Sequence, residues 1–224
     1  MGFNNENSIG NVFALDLETG ARKGLEQLLG PVSAPKNYKD AEKIAAAKAE
    51  KLKSLVESAA LNINLNWICG FGIWTPEGAQ VLIAKNLEEE RKHLAALGYY
   101  IANAGHQRRI ISFNGLSFDL LTLVQRARIH RISFPALNIT PSWRSPHTDL
   151  MEVLTFSGKV SRQTLDFYCR IFDIDTPEPD DVKQVSGADI GRLIDEERWD
   201  LIEGHCRYDV TRTGLLAQAL PGVW

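Results

Sequence analysis

The stretch Asn11-Val12-Phe13-Ala14-Leu15-Asp16-Leu17-Glu18-Thr19-Gly20 reads as an apolar strand that delivers two carboxylates and stops at a glycine. Side chains alternate between the two faces of a strand, so Asp16 and Glu18 share one face. Two carboxylates held that close repel, and in a buried strand the repulsion is relieved by a raised pKa or by a bound cation. Taken alone, an acidic strand end entering a turn explains the pair just as well. The rest of the chain decides, by whether it supplies further carboxylates on matching elements.

With 224 residues, 44% of them hydrophobic and 24% charged, the chain has the makeup of a soluble globular protein with a sizeable core. Residues 1–10 read as a flexible polar tail and 11–224 as a single domain, with a helical insertion at about 20–60. Lys plus Arg total 25 against 28 for Asp plus Glu, a net charge of −3, which excludes the overall basic footprint of a protein that coats duplex nucleic acid. Cys69, Cys169 and Cys206 are widely spaced and odd in number, which favours reduced thiols and a cytoplasmic location. No apolar run is long enough to span a bilayer and no signal-peptide pattern is present, so no membrane association is expected.

Residues 20–37 carry Gly20, Gly24, Gly30, Pro31 and Pro35 and read as loop with room for one turn of helix. From Asp40 to about Ala60 an amphipathic helix follows, with Ile44, Leu52, Leu55 and Val56 on its stripe and lysines behind. Trp67–Trp74, a Pro76-Glu77-Gly78 turn and Ala79–Ile83 read as an antiparallel hairpin beside the first strand. A helix over 88–104 ends at Gly105; then come a buried strand at Arg109–Phe113, a sharp Asn114-Gly115 turn, and a helix capped by Ser117 running to about Arg128. After a loop with Pro135, Pro141 and Pro146, a strand or strand end is expected at His147–Met151. Helices are expected at 163–172, 187–195 and 199–220.

Two later acids resist explanation as solvated charges. Asp119 opens a helix behind a strand and a tight turn, and Asp209 lies among Val210, Leu215 and Leu216, where an unpaired carboxylate is costly. His205, four residues before Asp209, shares its face. Together the segments Asp16-Leu17-Glu18-Thr19-Gly20, Asn114-Gly115-Leu116-Ser117-Phe118-Asp119 and His205-Cys206-Arg207-Tyr208-Asp209-Val210 resemble the three motifs of the DEDD 3′-5′ exonucleases of RNase H-like fold. The chain looks most like the stand-alone predicted exonucleases related to the proofreading domain of family B DNA polymerases.

The resemblance implies an α/β fold, a mixed β-sheet flanked by helices, with the insertion after the first strand. It implies two divalent cations, Mg²⁺ or Mn²⁺, held by Asp16, Glu18, Asp119 and Asp209, and release of nucleoside monophosphates from single-stranded nucleic acid, DNA ahead of RNA. Leu17, Thr19 and Asn114 would hold the terminal nucleotide. The tyrosine subclass has a Tyr where this chain has His205, and the histidine subclass has a His where it has Gly204. His205 would then orient or deprotonate the attacking water, unless it is a structural histidine. Tyr208, about 100° around the helix from Asp209, is a poor substitute. Asp149, at another strand end, competes with Asp119 as third acid. Arg126, Arg128, Arg144, Lys159 and Arg162 are candidates for phosphate contacts. Two alternatives stand beside the DNA exonuclease: an RNA-directed exonuclease of the same fold, and a catalytically weakened nucleic-acid-binding protein.

Overall fold

The computed structural model of the chain describes residues 12–103, 109–137, 147–177, 179–180 and 182–223. The expected tail at 1–10, the helix end at Gly105, and Pro141, Arg144, Pro146 and Asp181 lie outside these residues. The alternation in the opening strand becomes β1 (Val12–Ala21), buried along most of its length. Phe13, Leu15 and Leu17 join the main core with Leu94, Leu97, Leu120 and Leu123, whereas Ala14 meets Trp74 and Val210. Each face of β1 is thus covered by a different set of helices.

Between β1 and the next strand, in the segment expected to be a helical insertion, lie α1 (Leu25–Leu29) and α2 (Ala41–Glu57). Asp40 caps α2 by accepting the N–H groups of Glu42 and Lys43 at 2.8 and 3.2 Å. Its apolar stripe is only half-buried, because the helix packs against the single turn Ala59–Leu61 rather than against the sheet.

The expected hairpin is β2 (Asn66–Thr75) with β3 (Gly78–Ile83), followed by α3 (Leu87–Asn103), β4 (Arg109–Ser112), α4 (Asp119–His130), β5 (His147–Asp149), α5 (Leu150–Leu154), α6 (Leu165–Ile171), α7 (Ile190–Asp195) and α8 (Trp199–Ala219). The sheet order is β3-β2-β1-β4-β5, with β1 antiparallel to β2 and parallel to β4, and β4 parallel to β5. The expected mixed sheet flanked by helices is therefore formed, and the carboxyl ends of its three parallel strands lie on one edge, the usual place for a site in such sheets.

Two local expectations are corrected. Ser117 does not cap α4: the helix opens at Asp119 without a side-chain cap. The backbone itself makes the turn there, since Asn114 is left-handed (φ 65°) and Asn114 and Gly115 carbonyls accept the N–H groups of Ser117 and Leu120. The strand expected at His147–Met151 is only three residues long, because Asp149 accepts the Met151 N–H and starts a helix.

Candidate active site

Asp16 and Glu18 lie opposite two glycines of β2, in the pairs Asp16–Gly72 and Glu18–Gly70. A Cβ at Gly72 would stand 2.9 Å from Cys206 Sγ and 3.2 Å from Val210, and one at Gly70 would stand 3.0 Å from Glu18 Cβ. The bare backbone of β2 therefore lets α8 settle against the sheet beside the two carboxylates. Further along, Gly214 does the same against the Trp74 ring. A Gly-x-Gly inside the bulky run Trp67–Trp74 was the available sign of this close approach, which motif reading passed over.

The same helix brings in the rest. His205 is 8% exposed, and its Nε2 lies 3.7 Å from Glu18 Oε1 and 3.8 Å from Asp209 Oδ2. The Sγ of Cys206 comes within 4.8 Å of carboxylate oxygens of both Asp16 and Glu18. Arg212 donates to Asp209 Oδ1 at 2.7 Å and to Asp166 at 3.3 Å, and the Tyr208 ring lies under its guanidinium at 4.1 Å. Tyr208 thus steadies Arg212 rather than facing the carboxylates. Sequence reasoning missed both Arg212 and the Cys206 thiol, which carry no motif of their own.

Asp119 joins from α4, and the turn that carries it is built by Asp149. Asp149 is buried, and its two oxygens accept the N–H groups of Asn114 (2.8 Å), Leu116 (2.9 Å) and Met151 (2.9 Å). Those bonds commit both oxygens to the backbone. Gly115 is required in the turn, because a Cβ there would lie 2.1 Å from Ser112 Oγ. The same position stands 3.4 Å from an oxygen of Asp119.

Electrostatics tie the four acids together. Burial, then Asp119, Glu18 and Asp209, push the Asp16 carboxyl well above the usual range, with Arg212 opposing. Burial, then Asp209 and Asp119, do the same to Glu18. Asp119 is pushed up to about 7 by burial, with Asp149 adding and the N–H groups of Asp119 and Leu17 opposing. Burial and the carboxylates around it raise the Cys206 thiol far above its ordinary value, so it faces the site as a neutral S–H. Asp16, Glu18 and Cys206 offer ligand atoms within 4.8 Å of one another, and carboxylate oxygens that repel one another at such a spot could hold a metal cation.

The expected nucleotide-binding residues are placed unevenly. The Asn114 side chain accepts from Arg162 at 3.4 Å. Leu17 is packed into the core, and Thr19 is buried with its hydroxyl donating to Ala60 O at 2.8 Å, so both side chains are engaged within the fold. Arg126 is withdrawn as a phosphate contact. It is fully buried, and its Nε and Nη2 donate to Glu90 at 2.7 and 2.6 Å. Arg128, Lys159 and Arg162 are exposed.

A family described as a predicted 3′-5′ exonuclease related to the exonuclease domain of PolB matches residues 75–217. Among solved structures, the family B DNA polymerase of the hyperthermophilic archaeon Pyrobaculum calidifontis is similar, with a TM-score of 0.61 at 14% identity. The match covers 94% of this chain and 24% of the polymerase chain. At that identity it speaks for the fold, a polymerase-type RNase H-like domain. No curated protein matches the sequence.

Proposed function

The chain belongs to the family of predicted 3′-5′ exonucleases related to the exonuclease domain of PolB, and from that premise we propose that it removes nucleoside monophosphates from the 3′ end of single-stranded nucleic acid, DNA ahead of RNA. The observation that carries the reading is the convergence of Asp16 and Glu18 from β1, Asp119 from α4 and Asp209 from α8, with His205 Nε2 3.7 Å from Glu18 and 3.8 Å from Asp209, and with the Asp16 and Glu18 carboxyls raised by burial and by Asp119 and Asp209. Carboxylates crowded together in this way are relieved of their repulsion by a cation as well as by a proton.

Asp16, Glu18, Asp119 and Asp209 would hold two divalent cations, Mg²⁺ or Mn²⁺. When bound, such ions supply a more acidic water and charge compensation at the leaving oxygen. His205 Nε2, which lies between Glu18 and Asp209, would orient the attacking water and take its proton. The water oxygen bonds to the terminal phosphorus, the P–O3′ bond breaks, and the proton passes to the departing 3′-oxygen. The products are a nucleoside 5′-monophosphate and a strand one unit shorter. Asn114 and the backbone of Leu17 and Thr19 position the terminal nucleotide.

The test is incubation of purified protein with 3′-labelled DNA and RNA, competed in one reaction, with Mn²⁺ or Mg²⁺. Stepwise shortening of DNA is expected; preferential shortening of RNA selects the RNA-directed reading. A folded protein that binds strands but shortens neither is the weakened binding protein, a reading motivated by histidine at the tyrosine position. His205→Ala should lower turnover by roughly 10²-fold while calorimetry still detects Mn²⁺ binding, and His205→Tyr should keep part of the activity. An unchanged rate in His205→Ala makes His205 structural.

A further inference from the structure

Five of the eleven large hydrophobic side chains exposed among the described residues fall between Val153 and Ile171: Val153, Phe156, Val160, Phe167 and Ile171. Nearly half of the exposed apolar side chains thus fall on one short segment, and Phe167 and Ile171 stand one turn apart on the same face of α6. Phe156 is the most exposed of the five, at 67%, and its backbone explains how it is held there. Phe156, Ser157 and Gly158 are left-handed in succession, at φ 52°, 58° and 83°. Bulky residues rarely adopt that conformation, and it persists only where surrounding bonds impose it. They do so here: Ser157 N–H donates to Glu152 O at 2.7 Å, Gly158 N–H to Thr155 Oγ1 at 3.2 Å, and Lys159 N–H to Thr155 O at 2.8 Å. Thr155 is itself buried and anchored on Met151 O at 2.6 Å. The turn is thus constrained to present an aromatic ring to solvent.

The strip adjoins the active site at both ends. Phe156 lies on the turn that follows α5, the short helix that Asp149 caps, and Asp149 holds the Asn114 turn. Arg162 reaches Asn114 Oδ1 at 3.4 Å and Glu152 at 3.6 Å. On the other side, Asp166 of α6 is shared by Arg170 and by Arg212, which holds Asp209. Exposed Lys159, Arg162 and Arg170 are interleaved with the apolar side chains, on a chain whose net charge is −3.

We propose that this strip, with Phe156 as its stacking platform and Arg162 as its phosphate contact, carries the single-stranded nucleic acid leading into the active site. Aromatic faces and spaced cations are the combination that binds single strands without sequence preference, and continuity with the Asn114 end of the site argues for a nucleic acid rather than a protein. The proposal rests on the exonuclease reading above.

The test measures cleavage of 3′-labelled oligothymidylate with Mn²⁺ and, separately, fluorescence-anisotropy binding of the same strand without added metal. Phe156→Ala should raise both KM and Kd roughly tenfold, with the loss in KM rather than kcat. Phe156→Trp should restore binding, and Tyr99→Ala, which removes an equally exposed ring on α3, should leave both unchanged. Circular dichroism verifies that each variant is folded. Wild-type binding and KM in Phe156→Ala overturn the proposal while leaving the exonuclease reading intact. So does a concentration-dependent dimer, seen by sedimentation, that Phe156→Ala dissolves. If no variant cleaves but Phe156→Ala binds the strand more weakly, the exonuclease reading fails and the strip stands. A wild-type protein that neither binds nor cleaves overturns both.

Discussion

Arg212 holds Asp209 through one oxygen at 2.7 Å, so that the other oxygen is the one facing His205 Nε2 at 3.8 Å. The guanidinium acts as a resident counter-charge at the rim of an otherwise acidic pocket, opposing the elevation of Asp16. Replacing it with the uncharged Arg212→Met should therefore lower the melting temperature of the metal-free protein. The Mn²⁺-induced rise in melting temperature should be larger in the variant than in wild type. Equal Mn²⁺-induced shifts in the two would mean that Arg212 does not share in charge compensation.

The three elevated acids make the metal-free fold lose stability as pH rises, and outweigh the single imidazole of His147, which burial lowers to about 4 and which works the other way between pH 4 and 6.5. Asp119 rises from 3.8 to about 7, so the folded protein binds a proton there that the unfolded chain has already released. Stability from this group is complete below about pH 4 and is lost as pH climbs towards 7, with Asp16 and Glu18 acting in the same direction. Metal-free unfolding followed in urea should show that decline. The stabilisation by added Mn²⁺ should grow over the same interval, because the cation displaces protons. A metal-free stability that climbs steadily from pH 4 to 7 would contradict the assignment.

Gly72→Ala tests the closeness of α8 to the sheet. The added methyl meets Cys206 Sγ at 2.9 Å and Val210 at 3.2 Å, and both belong to packed core rather than to flexible ends. Overpacking of this kind costs about 1–3 kcal/mol. Because the displaced helix carries His205 and Asp209, strand shortening should fall together with stability in thermal melts. Full activity in a normally stable Gly72→Ala protein would show that α8 has slack to yield.

Asp149→Asn separates a builder of the site from a ligand. Three backbone N–H groups converge on its oxygens, and an amide nitrogen in place of one oxygen sets donor against donor. Loss of about 1–3 kcal/mol in denaturant unfolding is expected, with activity falling as the Asn114–Asp119 turn loosens. Weakened Mn²⁺ binding without loss of stability would instead make Asp149 a ligand.

Local chemistry determined what could be read in advance. The strand alternation around Asp16 and Glu18, the hairpin and the long α8 were legible because their periodicity matches the burial they acquire. Asp119 and Asp209 were legible through ordered motifs. Where the outcome depended on distant partners, reading failed: Arg126 looks like any helix cation, but Glu90, 36 residues away, buries it completely. Asp149 looked like a rival to Asp119 because nothing local says that Asn114 and Leu116 will donate to it. Gly70 and Gly72 acquire meaning only once α8, more than a hundred residues later, lies across them.

The Glu90–Arg126 pair governs more than packing. Glu90 Oε1 also accepts the N–H of Ile68 at 2.8 Å, beside the point where the β1–β2 register slips between Glu18 and Thr19. Arg126 stands two turns along the same helix that opens with Asp119. One rigid helix is therefore both wall and foundation: α4 cannot tilt toward a bound strand without pulling on a dry ion pair and, through it, on β2 itself.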